Sequence, residues 1–274
     1  MKYVHQKINN NPFKVLFKNE FKQHLKAFIL WTIIISAVMF SFLALYPLMA
    51  DMVNIMNSIP SEMMDTMISI TGGDLSTITG YYVMESTETL LIAGSIFAGL
   101  LGSALINRDF NSGSSEFLYA LPASRKKIWR SKLVVLFTQI FLFNLVIALT
   151  SLAGMYIWGS GIDLGAYFTY FGLVFMLQLE FGIICFSLAS AFKTKANAGI
   201  AMLIIFISFI LNVVRNIITE ASFLKYITPF AYVNGLVMSS GLSAVNFVLL
   251  AIGVGVSIVA LIFGRIKYNY IDVA

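Results

Sequence analysis

Residues able to do chemistry are few and widely separated in this chain. It holds one cysteine, Cys185, and two histidines, His5 and His24. Cys185 sits inside an apolar run, where a lone thiol behaves as a small hydrophobe and no disulfide framework can form. The histidines lie near the N-terminus, far in sequence from any other plausible ligand, so no metal site is expected. No Ser/His/Asp set competes, and the pattern G-x-x-x-x-G-K-[ST] is absent, as is any Gly-Lys dipeptide. The chain is therefore expected not to be an enzyme and to hold no cofactor of its own. Most carboxylates scatter over loops, but Glu180 stands in a long apolar run with Gln178 close by. An ionisable group at membrane depth is costly and marks a candidate site, here a substrate path or a proton carrier. Its plainer role is a hydrogen-bonded contact between helices.

A second group of residues suits binding. The segment from Arg108 to Lys132 is short, charged and partly amphipathic, between two apolar runs. It carries Arg108, Arg125, Lys126, Lys127, Arg130 and Lys132. A chain that only needed to turn round would use fewer polar residues. Asp109 to Ser112 can cap a helix. Glu116 with Phe117, Leu118 and Leu121 gives apolar anchors inside a charged rim, which suits docking of a soluble partner. Pro122 stops that helix. Ser124 can cap the next, which runs on through Arg125. The same loop without a partner would rest on lipid headgroups.

The elements that position these residues follow from composition. The chain is 59% hydrophobic and 11% charged, against about 25% charged in soluble domains. An all-α integral membrane protein with six transmembrane helices is predicted, as one domain over residues 1–274. The spans are read as Ala27–Met49, Thr87–Ile106, Leu133–Trp158, Ala166–Phe192, Ala196–Ile218 and Val245–Phe263, each long enough to cross about 30 Å of hydrocarbon. Glu180 then falls near the middle of the fourth. A basic stretch too long for a signal peptide precedes the first span, so no cleaved leader is expected. With six spans, all Lys and Arg except Arg215 and Lys225 fall on one side. The positive-inside rule makes that side, with both termini, cytoplasmic. The net charge of +5 then reflects topology, and no nucleic-acid partner is expected.

Three further features are legible. In the segment 11–25, Lys14, Lys18 and Lys22, followed by Lys26, recur every four residues along one face, with Phe13, Leu16, Phe17 and Phe21 opposite. This predicts an N-terminal interfacial helix resting on membrane lipid. Gly94, Ala98 and Gly102 form a small-residue stripe on the second span, suited to close packing inside one subunit. The outer loop from Ala50 to Ser86 carries Asp51, Glu62, Asp65, Asp74 and Glu85 without a basic residue. Its Met and Ile residues suggest short amphipathic helices, and Gly72-Gly73 a turn.

The run Arg108-Asp109, Gly113-Ser114, Glu116, Leu118 and Leu121-Pro122-Ala123-Ser124-Arg125 resembles the signature of ABC-2 type ABC exporter permeases. Ser115 and Tyr119 depart from the family's usual pattern. The resemblance implies that 107–132 forms a cytoplasmic coupling helix, between helices 2 and 3, that sits in a groove on an ATPase. It implies two copies of a separate P-loop ATPase, which would bind ATP and Mg2+, and a second permease, most simply a homodimer. The segment 219–243, with Pro229-Phe230-Ala231-Tyr232, is similar to the short outer re-entrant helices of that family. The chain is thus expected in a bacterial plasma membrane as the permease of an ATP-driven exporter. The apolar, Met- and Phe-rich spans point to an amphipathic or hydrophobic cargo, an amphipathic or antimicrobial peptide foremost. The alternatives are a gradient-driven secondary transporter using Glu180, or a non-transporting membrane anchor for an ATPase.

Overall fold

Apolar runs of this length can satisfy their backbone groups in lipid only as helices or closed barrels. A computed structural model of the chain describes residues 12–49, 77–111, 124–192, 197–233, 237–238 and 241–270. Its α-helices of span length are α1 (Pro12–Ala44), α2 (Ile78–Asn111), α3 (Arg125–Trp158), α4 (Leu164–Ala191), α5 (Asn197–Ile217) and α6 (Ala244–Asn269). Two 3₁₀ segments, Thr219–Tyr226 and Pro229–Tyr232, lie between α5 and α6. No strand occurs among the described residues. Each of the six helices is long and apolar enough to cross a membrane, so the chain is a multi-pass membrane protein.

The helices overrun the predicted spans where polar residues extend them. α2 starts at Ile78, where Ile78, Tyr81, Tyr82 and Val83 are buried; α3 starts at Arg125, because hydropathy marks only the apolar part of a helix while Lys and Arg propagate it well. The same holds for α1. No break separates residues 12–25 of the basic segment from the first span; they run on into it within one helix of 33 residues. The predicted amphipathic helices and the Gly72-Gly73 turn of the outer loop lie outside the described residues.

α2 and α4 form the centre of the bundle. α3 joins α1, α6 joins α4, and α5 leans on α2. The span of α2 is largely buried, whereas those of α1, α5 and α6 are mostly exposed. Glycine decides how closely the central pair approaches. A Cβ on Gly102 would run into the Gly182 carbonyl of α4. The stripe Gly94, Ala98 and Gly102 thus faces α4, with Ala98 fully buried. Beside Ala98, Phe97 stacks on Phe143 at 4.6 Å between centroids; near the N-terminus of α4, Tyr167 donates a 2.7 Å hydrogen bond to the Ala148 carbonyl of α3. Asp163 caps α4, accepting from the Gly165 and Ala166 amides at 2.8 and 3.1 Å, which holds its N-terminus firmly.

Candidate functional site

The two ends of the charged loop are bolted into the bundle. Arg108, in the last turn of α2, donates to the Gln23 carbonyl of α1 at 3.0 Å. Arg125, the first residue of α3, donates to the Asn269 carbonyl at the end of α6 at 3.0 Å. Ser124 takes the N-cap position, and its carbonyl accepts from the Lys127 amide at 2.8 Å. Its side chain, however, makes no capping bond. Asp109 belongs to the last turn of α2 rather than to the cap of a following helix. Gly113, Glu116, Phe117, Leu118, Leu121 and Pro122 lie outside the described residues.

Two turns into α3 is a feature the sequence reading missed. Lys132 is 1% exposed. Its Nζ donates to Glu20 Oε1 of α1 at 2.7 Å and to the Leu105 carbonyl of α2 at 2.7 Å. Glu20 is buried as well. One ammonium therefore ties α1 to α2 and α3, the two helices that enter and leave the loop. Gln139, two turns further along α3, donates to the Phe21 carbonyl at 3.2 Å. His24, one turn after Glu20, is also buried.

The clasp explains what becomes of the predicted interfacial segment. Lys14, Lys18, Lys22 and Lys26 are exposed along one face of α1. On the other face, Leu16, Glu20 and His24, spaced by four, are buried. Phe17 and Phe21 pack against the core, and a ladder of tilted rings runs from Phe17 through Phe21 and Phe28 to Phe97. The aromatic face of this segment packs, half-buried, against the bundle.

Glu180 and Gln178 do not form one site. Residues two apart on an α-helix point about 200° apart, and α4 turns them to different neighbours. Gln178 is buried against α2 and α3. It fills the notch at Gly94 and accepts from Asn144 Nδ2 at 2.9 Å. Glu180 faces α6, where its carboxyl occupies the notch left by Gly253. It lines a cleft of about 120 Å³ under the 3₁₀ segments. Those segments dip towards the middle of the bundle. Thr228 donates to the Ser208 carbonyl, halfway along α5, at 2.7 Å. Phe230 packs on Phe181 and Phe209, with centroids 5.2 and 5.7 Å away. Asn246 at the start of α6 donates to the Tyr232 carbonyl at 2.9 Å. Arg215 leaves Glu180 alone and donates instead to Asn212 Oδ1 at 3.0 Å.

Residues 15–270 match the family model of the ABC-2 family transporter proteins. No curated protein matches the chain.

Proposed function

Starting from the chain's membership of the ABC-2 family of transporter proteins, we propose how this membrane permease subunit of an ABC transporter works. It forms a homodimer that exports an amphipathic or hydrophobic molecule, an amphipathic peptide foremost, across a bacterial plasma membrane, with both termini in the cytoplasm. Two copies of a P-loop ATPase dock on the segments 107–132 and bind ATP and Mg2+. Leu118, Leu121 and Phe117 are the apolar anchors and Glu116 the charged contact on the rim.

The observation that carries the coupling part of this reading is the Lys132–Glu20 clasp. Closure of the ATPases on nucleotide displaces a docked loop. That displacement reaches α2 through Asn107–Asn111 and α3 through Ser124–Arg125. Lys132 passes it to α1 through Glu20, and Arg125 passes it to α6 through the Asn269 carbonyl. Such a linked set of helices gives nucleotide binding a membrane element to bias between two states. Membership of an ABC transporter family weighs against the gradient-driven reading of Glu180.

The test is affinity purification of the tagged chain from its own membrane. A P-loop ATPase should accompany the native chain and be lost from the variant Glu116→Arg with Leu121→Asp. Recovery of the ATPase with that variant would refute docking through 107–132. Absence of any ATPase from the native chain under gentle extraction would refute the partnership.

A further inference from the structure

The cleft at Glu180 has no part in the coupling just described. Its floor is a carboxyl group on a residue 3% exposed, and neither of its oxygens makes a hydrogen bond to any described residue. The site is shaped for this group. A Cβ on Gly253 would overlap both carboxyl oxygens, so only glycine at this point of α6 leaves room for them. The Tyr232 hydroxyl, also buried, faces this carboxyl without closing a hydrogen bond to it. Unmade hydrogen bonds on a buried carboxyl cost several kilocalories per mole, so a hydrogen-bond donor is its natural complement.

The rest of the lining narrows the ligand. Lys225 is the other ionic residue of the cleft. It is half-buried, in the 3₁₀ segment that forms the roof. The remaining wall is largely apolar, with Ile204, Leu249, Ile252 and Val256. Ile252 and Val256 are 38% and 51% exposed on the outer face of α6, so the cleft opens sideways at the apolar outer face of the bundle. Its volume of about 120 Å³ suits a small polar head and not a folded peptide.

We propose that this cleft binds a zwitterionic amphiphile: its primary ammonium against Glu180, its anionic group against Lys225, and its tail leaving past Ile252 and Val256. A primary ammonium offers three donors to the unpartnered carboxyl, which a quaternary one cannot. The headgroup of an aminophospholipid and a soluble zwitterion share this chemistry, and the tail distinguishes them.

The test uses the full chain in phosphatidylcholine nanodiscs, with affinity read from the ligand dependence of the melting temperature. Short-chain phosphatidylethanolamine should bind, and short-chain phosphatidylcholine should not shift the melt. Free phosphoethanolamine should bind more weakly for want of the tail. Glu180→Gln should weaken phosphatidylethanolamine by about tenfold or more, the loss of one charged hydrogen bond. Lys225→Ala should weaken it less, and should leave dodecylamine binding unchanged. Gly253→Ala, which pushes the carboxyl from its notch, keeps the test decisive should Glu180→Gln fold poorly, and should likewise weaken binding. Equal binding by Glu180→Gln, or equal response to phosphatidylcholine, would overturn the proposal. Equal binding of phosphoethanolamine would overturn its amphiphile part. None of these outcomes depends on the ATPase.

Discussion

Lys132 shows what a single charge does when it is buried with partners. Its ammonium meets Glu20 and the Leu105 carbonyl at 2.7 Å each, inside the cytoplasmic ends of three helices if the positive side faces in. A buried ion pair adds little net stability over a well-packed apolar pair, but removing one partner strands the other, at a cost of about 3–5 kcal/mol. Lys132→Met and Glu20→Leu should therefore each lower the melting temperature of the purified protein clearly, and the double replacement should recover most of the loss. Equal, additive losses would show that the two side chains act separately. Composition does not distinguish Lys132 from Lys126 or Lys127, which are exposed, so charge counting places all three in a loop. Spacing does separate them. Trp129, Lys132, Leu136 and Gln139 recur at three or four residues, and all are buried. Glu20 and His24 follow Leu16 in the same way. Glu180 was legible alone, as an acid in an apolar run; Gly253, which makes room for it, is far away in sequence and carried no signal.

At the scale of elements, helix existence is strongly encoded and helix neighbours are not. All six spans are legible because unbroken apolar runs of about 20 residues match a spanning helix and are about twice as long as a barrel strand. Their polar extensions are legible in part: Ser124 marks the start of the helix that runs through Arg125 into the third span, whereas nothing in the sequence marks Ile78 as the start of α2. The stripe Gly94, Ala98 and Gly102 declares a close contact without naming the partner, which is α4. Its importance can be measured. At Gly102 an added methyl meets the Gly182 carbonyl, backbone that cannot move aside. Gly102→Ala should destabilise by about 1–3 kcal/mol, the range for overpacking. Gly172→Ala, where a Cβ meets nothing within 4 Å, should be neutral or stabilise through helix propensity, by up to about 1 kcal/mol. Thermal unfolding followed by circular dichroism compares the two. Equal effects would mean that α2 and α4 are not in tight contact at Gly102.

For the whole molecule, the distribution of burial matters most. α2 and α4 are shielded, while α1, α5 and α6 present broad apolar faces such as Ile29, Leu30, Ile33 and Ile34 on α1 and Phe206, Ile207 and Ile210 on α5. Lipid accounts for such faces, and so does a second permease. The homodimer predicts twice the chain mass when the protein is released in native lipid and weighed by native mass spectrometry; a single chain mass would refute it. The central claim is that the loop joining α2 to α3 is where the energy source attaches. The most direct test places a photo-crosslinking amino acid at Phe117 in that loop, and separately at Ser160 in the turn joining α3 to α4, which six crossings put on the opposite side. Irradiation in the native membrane should join a P-loop ATPase to the chain from Phe117 and not from Ser160. An ATPase captured from Ser160, or from neither position, would contradict the account.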